Sequence, residues 1–141
     1  MSAARCKTEV KLSETSANGA VYYTNYYAWY ELVQYKFLSE NGCSYDELSK
    51  NGTEIVLTEM NTRCFAPARL GDVIIADMEI VSSDALRLTV DFTLTREKDS
   101  TLIARSRAVY ICVDKSFKPV LISRALPKLY AAIQKECGET N

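Results

Sequence analysis

Between residues 25 and 40, Tyr26, Trp29, Tyr30, Val33, Phe37 and Leu38 recur at spacings of three and four. That rhythm predicts a helix with one broad apolar face. Asn25 is the expected N-cap, and Asn41-Gly42 supplies the left-handed stop. No other feature restricts the fold as much, because the rest of the chain is mostly strand. Ser44 with Glu47 marks a short second helix over 44–50. Strand patterns then cover 54–65, 73–81, 86–95 and 102–113; in the third, Leu86, Leu88, Val90, Phe92 and Leu94 alternate strictly with polar residues. Residues 5–12 suit a first strand, and 123–136 a C-terminal helix. A long helix ahead of a β-meander has to bury its stripe. The economical solution is an α+β fold: an antiparallel sheet of about five strands wrapped around one long central helix. Residues 1–141 read as a single domain, without repeat or linker.

Composition narrows the chemistry. The net charge of −1 disfavours nucleic acid and polybasic membrane contact. No apolar run approaches the roughly 20 residues of a membrane span, and "MSAARCKTEV" lacks the apolar core of a signal peptide, so the expected location is the cytoplasm. The five cysteines are odd in number and widely spaced, as free thiols of a reducing compartment would be, and they form no zinc pattern. No metal or cofactor is expected. There is no histidine, which removes Ser-His and Cys-His nucleophilic devices from the chain.

The segment "NGAVYYTNYYAWYE" resembles the G-x-V-Y-Y-x-N-Y-x-x-W-x-E stretch of hotdog-fold acyl-CoA thioesterases, the 4-hydroxybenzoyl-CoA thioesterase-like family. "FLSENGCSYDEL", "FAPARLGDVIIADMEI" and "AVYICVDKSFKPVLI" occupy the matching places, in the same order over nearly the whole chain. The resemblance implies the hotdog fold and hydrolysis of an acyl-CoA or acyl-carrier-protein thioester. It also implies a homodimer or homotetramer with sites at subunit interfaces. In that family a backbone N–H at the start of the central helix binds the thioester carbonyl oxygen, which aligned on Gly19 is the N–H of Tyr23. The family's catalytic aspartate falls on Ser16. "ETSANGAVYY" also resembles the thioesterases that release polyene chains from enediyne-type polyketide synthases, which carry Asn at that position. The arginine of that group aligns with Gln34, so this second match is partial; it nevertheless makes polyketide or fatty-acyl release an expectation.

The candidate catalytic residues are therefore Ser16, Tyr23, Asn18, Tyr26 and Glu14. Ser16 is either a hydroxyl that orients water or a turn serine bonded to its own backbone. Glu14 is a general base if it points inward and a solvated side chain if it does not. Asn18 positions water or simply adopts the turn, and Tyr26 bonds substrate or packs in the core. Asn25, Glu31 and Arg69 are the candidate substrate-binding residues. Glu31 is open to a helix-surface or interface role, although another hotdog branch uses a helix glutamate as its base. Arg69 suits CoA phosphates or an acidic carrier helix, the alternative being a loop salt bridge, and Asn61 and Arg63 are lesser candidates. Leu57, Val73, Ile75 and Phe92 are either acyl-tunnel or core residues. With Ser16 in place of aspartate, a non-catalytic protein that binds acyl chains or carrier domains is the competing function. A hotdog dehydratase is disfavoured for want of histidine.

Overall fold

A computed structural model describes residues 2–137. Strand β1 (Ala4–Glu9) leads through a 3₁₀ turn (Leu12–Glu14) and a tight hairpin into the long helix α1 (Thr24–Glu40). Helix α2 (Tyr45–Lys50) follows, then β2 (Thr53–Cys64), β3 (Val73–Ser83), β4 (Arg87–Arg96) and β5 (Leu102–Asp114). The chain closes with β6 (Pro119–Val120), α3 (Ile122–Ala125) and α4 (Pro127–Glu136). The sheet is antiparallel in the order β1-β3-β4-β5-β2, with β6 added to β5. It therefore has six strands, the sixth being a two-residue pairing too short to show as a periodic pattern.

The apolar stripe of α1 is what the sheet wraps. Tyr26, Trp29, Tyr30, Val33, Phe37 and Leu38 are all buried, and Tyr30 stacks on Phe92 of β4 with ring centroids 4.9 Å apart. From β4, Leu88, Val90, Phe92 and Leu94 point into the same core. Leu86 does not: the Asp84 carboxylate accepts from the Leu86 and Arg87 N–H groups, which places Leu86 in the turn and starts the strand one residue later. Ser44 caps α2 as expected, its hydroxyl accepting from Glu47 N–H at 3.3 Å, and Gly42 ends α1 with φ +74°.

The first strand stops at Glu9, before the 3₁₀ turn, rather than running to residue 12, and two helices also differ from the sequence expectation. Helix α1 begins at Thr24 with Tyr23 at the cap position, so Asn25 lies inside the first turn. Its side-chain amide donates to the carbonyls of Glu14 and Tyr22, both at 3.0 Å, and is not free to cap. The C-terminal helix is split, because Pro127 cannot continue α3 but is well suited to open α4. Among the described residues no helix is long and apolar enough to cross a membrane, and the five cysteines are unpaired.

Candidate active site

The site is built on the 15–21 hairpin that delivers the chain into α1. Ser16 N–H donates to Ala20 O at 2.8 Å and Gly19 N–H to Ser16 O at 2.9 Å, closing a turn with Gly19 at φ +84°. That backbone is costly for any residue with a Cβ, which explains the glycine. The turn consumes its own side chains. Ser16 Oγ donates to Asn18 Oδ1 at 2.6 Å, with Ala20 O at 3.2 Å, and the same Asn18 oxygen accepts from Ala20 N–H at 3.0 Å. The hairpin is pinned to the 66–72 loop by Val21 N–H on Ala68 O (2.8 Å) and by the pairing of Ala20 with Arg69. Arg96 braces that loop through Asp72 and Pro67 O, both at 3.2 Å. Arg69 itself keeps an exposed side chain next to the turn.

Glu14 faces inward. Its two carboxylate oxygens accept from Lys11 N–H at 2.9 Å and from the indole N–H of Trp29 at 3.1 Å. Its carbonyl receives Tyr22 N–H and the Asn25 amide. The 3₁₀ turn rotates this residue off the strand-end geometry that would have left it in solvent, and it now ties the hairpin to the first turns of α1.

At the start of α1, Tyr23 has φ −57° and ψ −26°, and no side chain caps the helix. Among the described residues nothing accepts from the Tyr23 N–H, and the first turn holds no acidic residue. The positive end of the helix dipole is thus left to whatever binds there. Tyr26 is packed in the core against Trp29 (centroids 5.5 Å), where burial raises its pKa while the Ala68 backbone N–H beside it pulls the other way.

Alongside α1 runs a groove of about 760 Å³, walled by Tyr27, Glu31, Gln34 and Leu38 of α1, Tyr45 and Leu48 of α2, Ile55, Leu57 and Met60 of β2, and Tyr110 of β5. It exists because α1 packs on β1 and β3, at one side of the sheet, and stands away from β2 and β5. Of the candidate tunnel residues only Leu57 lines it; Phe92 is core, and Val73 and Ile75 lie on β3 away from the groove. Glu31 does line it, some two turns along from Tyr23, while Asn61 and Arg63 sit exposed on β2. Gln34, Tyr45 and Tyr110 were not singled out as site residues from the sequence. The available signal was Gln34, a polar residue inside the apolar stripe of α1.

An uncapped helix start with an unbonded N–H, and a chain-sized groove along the same helix, are features that an acyl-transfer site can use. Residues 10–132 match the Thioesterase-like superfamily, to which the chain belongs. This places it among the thioester hydrolases. The acyl-CoA thioester hydrolase YbgC of Escherichia coli is 30% identical over 133 residues, spanning 94% of this chain and 96% of the relative. The 1,4-dihydroxy-2-naphthoyl-CoA hydrolase of Synechocystis is 24% identical over 106 residues, 74% of this chain and 77% of its own. Among solved structures, the DHNA-CoA thioesterase of Staphylococcus aureus superposes with a TM-score of 0.86 over 97% of this chain and 94% of its own, at 23% identity. The hotdog fold expected from the sequence is the fold observed.

Proposed function

We propose that the protein hydrolyses acyl-CoA thioesters, with the Tyr23 N–H as the oxyanion donor. The observation that carries this reading is that N–H: unbonded, at an uncapped helix start, one helical turn before Tyr27, where the lining of the groove begins on α1. The thioester carbonyl oxygen accepts from Tyr23 N–H, and a water oxygen attacks the carbonyl carbon. The resulting oxyanion is stabilised by the N–H and the helix dipole, then collapses and breaks the C–S bond. The departing thiolate needs little help, since a thiol has a pKa of about 8.5. Ser16 Oγ has donated its hydrogen to Asn18 but keeps lone pairs for water, and the Asn18 amide nitrogen is unspent. Together they position the nucleophile, whose proton passes to solvent. Glu14 acts by holding the hairpin on α1, its oxygens already engaged by Lys11 and Trp29.

The test is steady-state hydrolysis of a panel of acyl-CoA and acyl-carrier-protein thioesters by the wild type and by Ser16→Asp. Ser16→Asp introduces a carboxylate that can take the water's proton, a function typically contributing about 10²–10⁴-fold. We expect kcat to rise by at least about tenfold, below that range because the Asn18 contact is lost. No turnover of any thioester by either form would sink the reading. If acyl chains or carrier domains still bound, the non-catalytic binder, which the closed Ser16–Asn18 turn favours, would stand in its place.

Arg69, exposed beside the turn, is proposed to meet the phosphates of the CoA arm. Arg69→Ala should raise KM for acyl-CoA roughly threefold to tenfold and weaken its dependence on salt, as expected for one exposed charge pair. The same acyl group on N-acetylcysteamine, which has no phosphate, should show neither change. Equal effects on both substrates would assign Arg69 to the loop instead.

We further propose a homodimer formed along β2, from which a tetramer can be built. This strand is twelve residues long and pairs on one side only, with β5. Leu57 and Phe65 on and beside it, and Tyr22 and Tyr23 at the site, are exposed. Such an edge invites strand pairing. Sedimentation equilibrium should give a dimer or its multiple, and a monomer at micromolar concentration would rule this out. Free thiols, including exposed Cys64, fit the cytoplasm.

A further inference from the structure

The groove walls are chemically uneven. Gln34 on α1 is only 8% exposed and Tyr110 on β5 only 6%, and both line the groove. Among the described residues neither the Gln34 amide nor the Tyr110 hydroxyl has a hydrogen-bond partner. Polar groups buried to this degree are normally bonded to protein or to water. They differ from the Tyr30 hydroxyl, which is sealed from solvent beside Thr62. The Gln34 and Tyr110 groups remain open to the groove's contents.

Glu31 precedes Gln34 by three residues, so the two are neighbours on the helix surface. Burial, and then the charge of Glu31, push the Tyr110 and Tyr45 phenols up, which keeps them protonated and able to donate. This part of the groove therefore offers donors from Tyr110 and the Gln34 amide nitrogen, and acceptors from the Gln34 oxygen and Glu31. Its lining carries carboxylates at Glu31, Glu54 and Asp114 against one lysine, Lys115.

We propose that this region binds a hydroxyl group on the substrate's acyl chain, so that the preferred acyl group is uncharged and hydroxylated along its length. The inference rests on the thioester-hydrolase reading above. A plain alkyl chain would strip water from the Gln34 amide and the Tyr110 phenol and return nothing, whereas a hydroxyl both donates and accepts. A chain ending in a carboxylate would meet the like charge of the lining. Gln34 lies eleven residues after Tyr23, about 16 Å along the helix at 1.5 Å per residue. Its side chain, leaning back toward the helix start, and the hydrogen bond cover roughly 5 Å of that, so the hydroxyl belongs in the distal half of a chain of about ten carbons.

The experiment compares decanoyl-CoA with isomers monohydroxylated at successive carbons of the distal half of the chain, and with the matching terminal carboxylate. At least one hydroxylated isomer should exceed decanoyl-CoA in kcat/KM by about tenfold or more, and the carboxylate should be the poorest. Gln34→Leu and Tyr110→Phe, both close in volume to the residues they replace, should each cut that preference severalfold. No hydroxylated isomer exceeding its parent, or a preference untouched in both variants, would overturn the proposal. The matching alkyl-CoA thioethers, which cannot be hydrolysed, separate the two readings. If no thioester turns over, tighter binding of a hydroxylated thioether upholds the groove assignment while the hydrolase reading falls. Equal binding of hydroxylated and plain thioethers overturns the groove assignment itself.

Discussion

Tyr23→Pro should reduce kcat/KM for thioester hydrolysis by about 10²–10³, the loss seen when one oxyanion donor is removed. Proline is the informative substitution because it deletes the N–H and disturbs little else. Tyr23 has φ −57°, within the range of the pyrrolidine ring, and sits where a helix start tolerates proline. Its N–H has no acceptor among the described residues, so no intramolecular bond is lost. The exposed ring goes too, which Tyr23→Ala controls for, since it removes the ring and keeps the donor. Thermal midpoints of both variants should stay close to wild type, within about 1 kcal/mol of stability. Activity should separate them, Tyr23→Ala remaining within about tenfold of wild type, as for an exposed side chain. Equal activity in the two variants would place the oxyanion donor elsewhere.

The contrast between these two substitutions reflects which features of the site the chain's local pattern could reveal. The stripe from Tyr26 to Leu38 was legible because helical spacing alone decides which side chains share a face, and each of them is buried. The Gly19 turn was legible for the same local reason. Glu14 was not, because its orientation depends on Trp29, fifteen residues later, supplying an indole N–H. Asn25 reads as a cap by residue type, yet it serves a carbonyl eleven residues back across the hairpin. Leu86 continues a perfect alternation that the Asp84 turn interrupts. The groove was invisible for a further reason. Tyr110 looks like an ordinary strand residue, Gln34 shows only as one polar residue in an apolar stripe, and their unbonded state follows from α1 standing away from β2 and β5. Local pattern reports which face an element buries, but not how far apart two elements pack.

Trp29→Ala is the change expected to cost most stability. Trp29 is 1% exposed, packs against Tyr26, and is the residue through which α1 holds Glu14. Truncating a buried tryptophan costs about 3–5 kcal/mol, transfer and cavity terms together. The Glu14 carboxylate also loses a donor, but it is half-buried and can recover water, so this adds only about 1 kcal/mol. For a chain of this size the sum lowers the thermal midpoint by roughly 14–20 °C. Trp29→Phe keeps most of the ring and removes the N–H; the lost bond and the smaller ring together should cost about 1–3 kcal/mol. Glu14 also anchors Tyr22 and Asn25 through its carbonyl, so loosening it disturbs the backbone that aims the Tyr23 N–H. Trp29→Phe should therefore lower kcat at temperatures where the protein remains fully folded, with KM much less affected. A Trp29→Phe enzyme with wild-type kcat but reduced midpoint would confine the Glu14–Trp29 bond to stability. Unchanged kcat and midpoint together would mean the bond fixes neither the hairpin nor the helix start.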